Sequence, residues 1–262
     1  MILRLSLVFG ALLLTGFSEP KPVPKPFDPI EAAQQGRSLV AEILSQKPAR
    51  NFTSSGALKI RDDKRNVINI PVEIEIIVSP NGTFGHGFPT NWYNRYDAEL
   101  PGGWTEEIII IHTANSTNHY SHRNGIRSAD RSQWQQTGVL RGKGNEPFAG
   151  SDFWLCDLGL EFFHWPDQKI LKSELRKSRL CRVLESISPK PAPGAYSRVV
   201  SWIDDESLGI IHAEAYDFQN KLLKEFDAKK IKKVKGEWQL EEMEINNVQT
   251  GSRTQIEFNF DK

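Results

Sequence analysis

The sequence predicts an α+β fold in which one amphipathic helix packs on a large antiparallel sheet. Three observations predict it: a single capped helical segment near the start, period-two alternation of apolar and polar residues over most of the remaining chain, and short turn-forming linkers between the alternating runs. Asp28 is a helix N-cap with Pro29 at the first helical position, and Ile30, Ala33, Val40, Ile43 and Leu44 form an apolar stripe that ends near Lys47-Pro48. Gly36 weakens the middle of this helix, so packing and not propensity must hold it.

The clearest strand carries Ile68, Ile70, Val72, Ile74, Ile76 and Val78 on one face and Asn69, Pro71, Glu73 and Glu75 on the other. Asn81-Gly82 then supplies a tight hairpin turn. Pro71 has no amide hydrogen, which predicts a sheet edge or a bulge at that point. Further strands are expected at Asn51–Arg61, Glu107–His112, Lys169–Arg176, Leu180–Ser186, Tyr196–Ile203, Ile210–Tyr216, Leu222–Ala228, Trp238–Asn246 and Thr254–Phe260. The linkers Asp204-Asp205-Glu206-Ser207, Phe218-Gln219-Asn220, Lys235-Gly236-Glu237 and Gln249-Thr250-Gly251 are turn chemistry, so strands from Tyr196 onward should pair with their neighbours as a meander. Gly87 to Gly150 is less regular and reads as an elaborated loop region, with a short helix at Ser128–Trp134.

Ahead of the helix, Arg4 precedes a mostly apolar run from Leu5 to Leu14, too short for the ~20 residues of a membrane-spanning helix. With small residues at Gly16 and Ser18 it reads as a signal peptide, residues 1–18, cut before Glu19. Phe17 stands where a lipid-accepting cysteine would be needed, so the expected product is soluble, unanchored and, for a bacterial source, periplasmic. Residues 19–27 alternate proline and form a tether, leaving 28–262 as one domain.

Lys plus Arg and Asp plus Glu balance at 33 each, which removes the general basic field of a nucleic-acid binder and the acidic excess of a disordered chain. The two cysteines, Cys156 and Cys181, allow either a disulfide worth ~3 kcal/mol by loop entropy or two separately buried thiols. His112, His119 and His122, with His86, are the one arrangement that suggests a metal, but the helical spacing of metalloprotease ligands is missing and a solvated loop is the better reading. Ser151 is not in a nucleophile elbow, and Asp204-Asp205-Glu206 reads as solvated turn acids, so no enzyme, cofactor or metal is expected. Five lysines in the seven residues from Lys229 to Lys235 suit a strand edge that resists aggregation, or contact with an anionic membrane. Asn-x-Ser/Thr sequons at Asn51, Asn81 and Asn115 matter only in a eukaryotic source.

Gly150-Ser151-Asp152-Phe153 leading to Asp157-Leu158, Cys181-Arg182-Val183-Leu184-Glu185, Tyr196 through Asp204 and Glu214-Ala215-Tyr216-Asp217 together resemble the outer membrane lipoprotein-sorting protein family. Lys221-Leu222-Leu223-Lys224, Lys235-Gly236-Glu237-Trp238, Met243-Glu244-Ile245 and Thr250-Gly251-Ser252-Arg253-Thr254 follow in the order found there. The resemblance covers about Phe148 to Phe260 and extends upstream only in layout. It implies a LolA-like incomplete antiparallel β-barrel, a strongly curved sheet with an N-terminal helix and short covering helices, related to the LolA and LolB lipoprotein carriers. It further implies a non-enzymatic carrier or binder of lipoprotein acyl chains or other lipids, with a membrane surface or a lipoprotein-releasing or accepting protein as partner. A sensor or accessory protein that binds a protein partner is the alternative, and an enzyme with a dispersed site ranks below it.

Such a ligand needs few specific residues, because each buried methylene contributes ~0.8 kcal/mol. With 14 Phe, seven Trp and five Tyr, the chain has aromatics to line a cavity. Phe153, Trp154, Phe162, Phe163, Trp165, Trp202 and Trp238 are the candidates, although for any one of them a place in the core or as a surface plug is the stronger reading.

Overall fold

The computed structural model describes residues 28–79, 83–84, 88–89, 92–113, 117–126, 130, 135–140, 144–234 and 237–259. The expected signal peptide and tether, the Asn81-Gly82 turn, His86, the Asn81 and Asn115 sequons and nearly all of the expected Ser128–Trp134 helix lie outside these residues. Helix α1, Pro29–Ser45, is followed by β1 (Phe52–Arg61), β2 (Val67–Val78), the two-residue strands β3 (Thr83–Phe84) and β4 (Phe88–Pro89), β5 (Trp92–Leu100), β6 (Trp104–His112), β7 (His119–Ile126) and β8 (Gln135–Leu140). A one-turn helix α2 (Leu155–Leu158) and a 3-10 turn at Glu161–His164 then lead into β9 (Asp167–Arg176), β10 (Arg179–Ile187), β11 (Arg198–Asp204), β12 (Ile210–Tyr216), β13 (Leu222–Val234), β14 (Glu237–Asn247) and β15 (Arg253–Asn259).

All but β3 and β4 join one antiparallel sheet, in the order β8-β7-β6-β5-β2-β1-β15-β14-β13-β12-β11-β10-β9. It is two meanders joined by the β1–β15 pair, in which Leu58 lies opposite Ile256 and Ile60 opposite Thr254. The expected neighbour pairing from Tyr196 onward is observed and begins earlier, at β9. Among the described strands, β8 and β9 are the ends of the sheet and do not meet, so the barrel is open.

Alternation sorts the apolar residues onto two faces. Leu58, Ile70, Val72, Ile74, Ala98, Ile108, Ile110, Ile245 and Ile256 build the main core on the concave side. Leu184, Val199, Ile203, Ala213 and Ala215 continue it beneath α1. Cys181, Val183, Val200, Trp202 and Ile211 form a smaller cluster on the opposite face.

Asp28 caps α1 as expected, accepting the N–H groups of Ile30 at 2.9 Å and Glu31 at 3.2 Å. The buried stripe is Ala32, Gly36, Leu39 and Val40, while Ile30 and Leu44 are exposed. Gly36 therefore has a packing role: a Cβ there would sit 2.6 Å from the Lys169 Cα, so its absence lets the helix backbone rest directly on β9. Of the strands β5 to β8 that run through the segment expected to be irregular, β6 contains the strand expected at Glu107–His112, while β5, β7 and β8 were not expected.

Two other expectations are modified. Pro71 lies on an interior strand, between β1 and β5, and the consequence of its missing N–H is a break in one ladder only. Lys229 to Lys233 lie within β13, beyond the last β12 pair at His212↔Asp227, so among the described strands half of β13 has the expected edge; Lys235 lies outside the described residues. The cations of the lysine run pair with carboxylates of β14 and the β11–β12 turn: Lys229 with Glu244 at 2.9 Å, Lys230 with Glu241 at 2.6 Å and Lys233 with Glu206 at 3.4 Å.

Candidate functional site

The segment from Gly144 to Trp165 crosses from the β8 end of the sheet to the β9 end and fills the concave face. Phe148, Phe153 and Leu155 are at most 1% exposed within the main core. Phe162 and Phe163 pack edge to face at 4.7 Å with α1 and the β10–β12 surface. The backbone of this plug is irregular, so its polar groups need partners from the sheet, and the sheet supplies them.

Asp152 is the first anchor. Its carboxylate accepts the hydroxyls of Ser252 at 2.6 Å and Thr254 at 2.9 Å, and its N–H donates to Thr254 Oγ1 at 2.9 Å. Lys224 of β13 is the second and is 2% exposed. Its Nζ donates to the Asp152 carbonyl at 2.6 Å, lies 3.4 Å from Asp157 Oδ2 and stands 3.5 Å from the centre of the Trp154 ring. Tyr196 stacks on Trp154 at 4.8 Å and donates to the Asp157 carboxylate at 2.9 Å, while the Trp154 N–H donates to the same carboxylate at 2.8 Å. Burial pushes the Lys224 ammonium down against the opposing pull of Asp157, and pushes the Tyr196 hydroxyl well up with help from the Asp157 charge.

The plug's other end is held on β6 and β7. Tyr120 donates to Glu161 Oε2 at 2.8 Å, Asn118 Nδ2 donates to the Gly159 carbonyl at 2.6 Å, and Glu106 accepts the Ala149 N–H at 3.1 Å. Burial lifts the Glu161 carboxyl to about 7, against the Tyr120 hydrogen bond that favours its charged form. His122 lies 3.2 Å from Glu106 and 3.7 Å from Glu146, and its hydrogen bond to Glu106 raises it.

Beneath the plug a cavity of about 40 Å³ is lined by Leu160, Phe162, Val199, Ala215, Phe226 and Ile245, with Asp157, Tyr196 and Lys224 at its polar side. It holds about one water-sized group and cannot hold an acyl chain as it stands. Of the seven aromatic candidates, Phe162 lines it. Phe153, Trp154, Phe163 and Trp165 belong to the plug but face its packed interior.

Trp202 and Trp238 are on the other face of the sheet, which corrects the expectation that they line the cavity. Trp202 pairs with His212 across β11–β12, in ring contact at 4.9 Å, and donates to Glu174. Trp238 donates to Glu206 at 3.0 Å beneath the Arg179 guanidinium, 4.3 Å from its ring centre. Period-two alternation shows that a residue faces one side but not which side is concave.

Cys156 and Cys181 are both free and buried. Cys156 packs under α1 and Cys181 belongs to the cluster on the opposite face, so the sheet stands between the thiols and, of the two alternatives, the separately buried pair is the one observed. Burial pushes both thiols up, away from the reactive thiolate. Asp204 is buried and not solvated: it accepts Arg179 at 2.6 Å and caps the turn through Ser207 at 2.8 Å. Ser151 Oγ accepts the Phe153 N–H at 3.1 Å in a turn. His112 is stacked on Trp92 at 3.6 Å, and burial lowers it to about 3. Among the described residues no group of three or more His, Cys, Asp or Glu side chains is placed to hold a metal ion.

The chain is similar in structure to a DUF1329 family protein from Desulfovibrio piger, with a TM-score of 0.68 at 17% identity over 87% of this chain and 92% of that one. It is similar to an outer membrane lipoprotein-sorting protein domain from Vibrio parahaemolyticus, with a TM-score of 0.67 at 16% identity over 87% and 91% of the two chains. A LolA superfamily protein from Nitrosomonas europaea gives a TM-score of 0.54 at 14% identity over 87% and 91%. The fold is LolA-like. A family model described as "uncharacterized protein" matches residues 137–260, and no curated protein matches the chain. In this LolA-like sheet the matched span opens at β8 and takes in the plug, its β13 and β15 anchors and the whole second meander.

The sequence runs that carry the family resemblance meet in three dimensions. Asp152, Asp157, Tyr196, Lys224, Ser252 and Thr254 come from four of those runs and form one buried polar latch between plug and sheet. Sequence reasoning singled out the aromatics and passed over this latch. The available signal was Lys224, a lysine in a strand at the parity of half-buried Phe226 and buried Ala228.

Proposed function

We propose that the protein is a non-enzymatic extracytoplasmic carrier or binder of acyl chains, borne on lipoproteins or on other lipids. The observation that supports this reading is the cover on the concave face. Val199, Ala213, Ala215, Phe226 and Ile245 present a continuous apolar floor, and what lies on it is a separate segment tied down by a handful of polar anchors, not further strands. Moving that segment would expose a surface suited to hydrocarbon, at ~0.8 kcal/mol per methylene covered. The expected periplasmic address fits a carrier that works between two membranes. Among the described residues no helix is long and apolar enough to cross a membrane.

The small volume beneath the plug favours a second reading, an accessory protein that uses the same fold to bind a protein partner. Native mass spectrometry of the protein isolated from its own cellular compartment separates the two. A retained lipid mass, together with displacement of an apolar fluorescent probe by an acyl chain, is the expected result. A lipid-free protein that binds no acyl chain or probe would remove the carrier reading and leave the accessory one.

A further inference from the structure

The ladder between β2 and β5 stops before either strand does. It runs from Val78↔Trp92 to Val72↔Ala98, and the next pair would join Pro71 to Glu99. β2 continues to Val67 paired with β1, and β5 continues to Leu100 paired with Trp104 of β6. Proline has no N–H to donate, so at Pro71 the two strands part instead of zipping on. The gap is an open groove of about 350 Å³ between Asn69 and Pro71 on one side and Glu99, Leu100, Pro101 and Trp104 on the other.

The walls of this groove are mainly apolar and lead inward. Leu100 packs against the main concave core. Trp104 is 45% exposed, and Ile126, opposite it on β7, is 53% exposed. Ile68, opposite Ile60 on β1, is 52% exposed on the far side of the gap. Trp104 lines the groove itself, and a large exposed aromatic beside Pro71, Leu100 and Pro101 at a break in the sheet marks a contact surface. The groove, at about 350 Å³, is several times larger than the cavity of about 40 Å³ beneath the plug.

We propose that the groove opened by Pro71 is a binding site for a hydrocarbon chain, the place where an acyl chain lies against the sheet with the plug still in position. This deepens the carrier reading and rests on it. An extended peptide added to the sheet would need an unbroken row of backbone donors and acceptors, and Pro71 interrupts that row; a hydrocarbon chain needs none. The groove also spares the chain the cost of breaking the Asp152–Lys224–Asp157 latch before any contact is made.

The test places a reporter in the groove. Asn69→Cys protein is labelled with an environment-sensitive dye and titrated with palmitate; buried Cys156 and Cys181 leave position 69 as the accessible thiol. The expected result is a saturable blue shift. Adding Trp104→Glu weakens palmitate binding at least tenfold, Pro101→Glu on the exposed turn weakens it similarly without touching a strand pair, and Leu160→Glu at the covered cavity changes it less than twofold. Circular dichroism verifies that each variant is folded. If palmitate binds, by calorimetry, but the reporter is silent and Trp104→Glu and Pro101→Glu bind as the parent does, the groove is excluded while the carrier reading stands. If the parent binds no palmitate, both fall. A reporter that answers an extended apolar peptide and not palmitate overturns the proposal in favour of a protein partner.

Discussion

Replacing Glu161 by glutamine should flatten part of the pH dependence of stability. Glu161 sits in the 3-10 turn at the end of the plug and accepts a hydrogen bond from Tyr120, which is 1% exposed. Burial holds its carboxyl at about 7, against 4.5 ordinarily. Below pH 4.5 both the folded and unfolded chains carry it protonated, and it has no effect on the difference between them. Between 4.5 and about 7 the unfolded chain ionises first, so the folded state binds more protons and stability falls as pH rises; above 7 the loss is complete. At 1.36 kcal/mol per pH unit, a displacement of that size is worth about 3 kcal/mol. Glu161→Gln keeps the side chain's shape and can still accept from Tyr120, but it does not titrate. Urea unfolding of parent and variant at pH 4.5, 6 and 8 should therefore show the variant gaining about 3 kcal/mol on the parent across the range. Taking the difference between the two proteins cancels His122, which is raised and also loses stabilisation as pH rises. Parallel stability curves would refute the assignment of Glu161 as a buried, neutral anchor.

Gly36→Ala should destabilise despite alanine's better helix propensity, by roughly 1–3 kcal/mol in urea unfolding, because its Cβ would meet the backbone of Gln168 and Lys169 at 2.6–2.7 Å. Lys224→Met should cost roughly 3 kcal/mol, since it removes the cation while the Asp152 carbonyl and the Asp157 carboxylate stay buried, and limited proteolysis should then cut first within residues 144–165. Thiol counting on denatured, unreduced protein should find two free thiols; a single disulfide would contradict the placement of Cys156 and Cys181 on opposite faces.

Most of the second meander is legible in the sequence because each of its strands is buried on one face and bounded by turn residues, so the period of two survives. β5, β7 and β8 do not announce themselves for the opposite reason. On β5, Asn94 falls between Trp92 and Tyr96 on the apolar parity, and on β7 His119, Ser121 and Arg123 alternate with Tyr120, His122 and Asn124, so neither face reads as apolar. These strands are held by their neighbours: β6, with Ile108 to Ile111 all buried, carries the apolar content for three. The helix is readable from its cap and, through Val40 and Ile43, part of its packed face is too, but Ala32, Gly36 and Leu39 are not in the expected stripe. The helix rests on β9 through a glycine, and a stripe drawn from large apolar residues misses a contact made by the absence of a side chain.

The site was legible in an indirect way. The runs that resemble the lipoprotein-sorting family hold the plug, through Asp152, Asp157, Tyr196, Lys224 and Thr254, and these are groups with defined hydrogen-bonding demands that a sequence must satisfy at fixed positions. A surface for hydrocarbon makes no such demand, because dispersion and desolvation accept any apolar side chain of about the right size. Recognisable motifs should therefore mark how the concave face is closed, and the residues that touch ligand need carry no motif of their own. Pro71, Leu100, Pro101 and Trp104 meet that description: all four lie outside the matched span of residues 137–260, and one of them, by lacking a hydrogen, opens the sheet. Pro71→Val makes the point testable in the backbone itself. A residue with an N–H should let the β2–β5 ladder extend toward Glu99, protect the added amides from hydrogen exchange, and reduce palmitate binding as the groove narrows. Extended protection with undiminished binding would separate the break in the sheet from the ligand site.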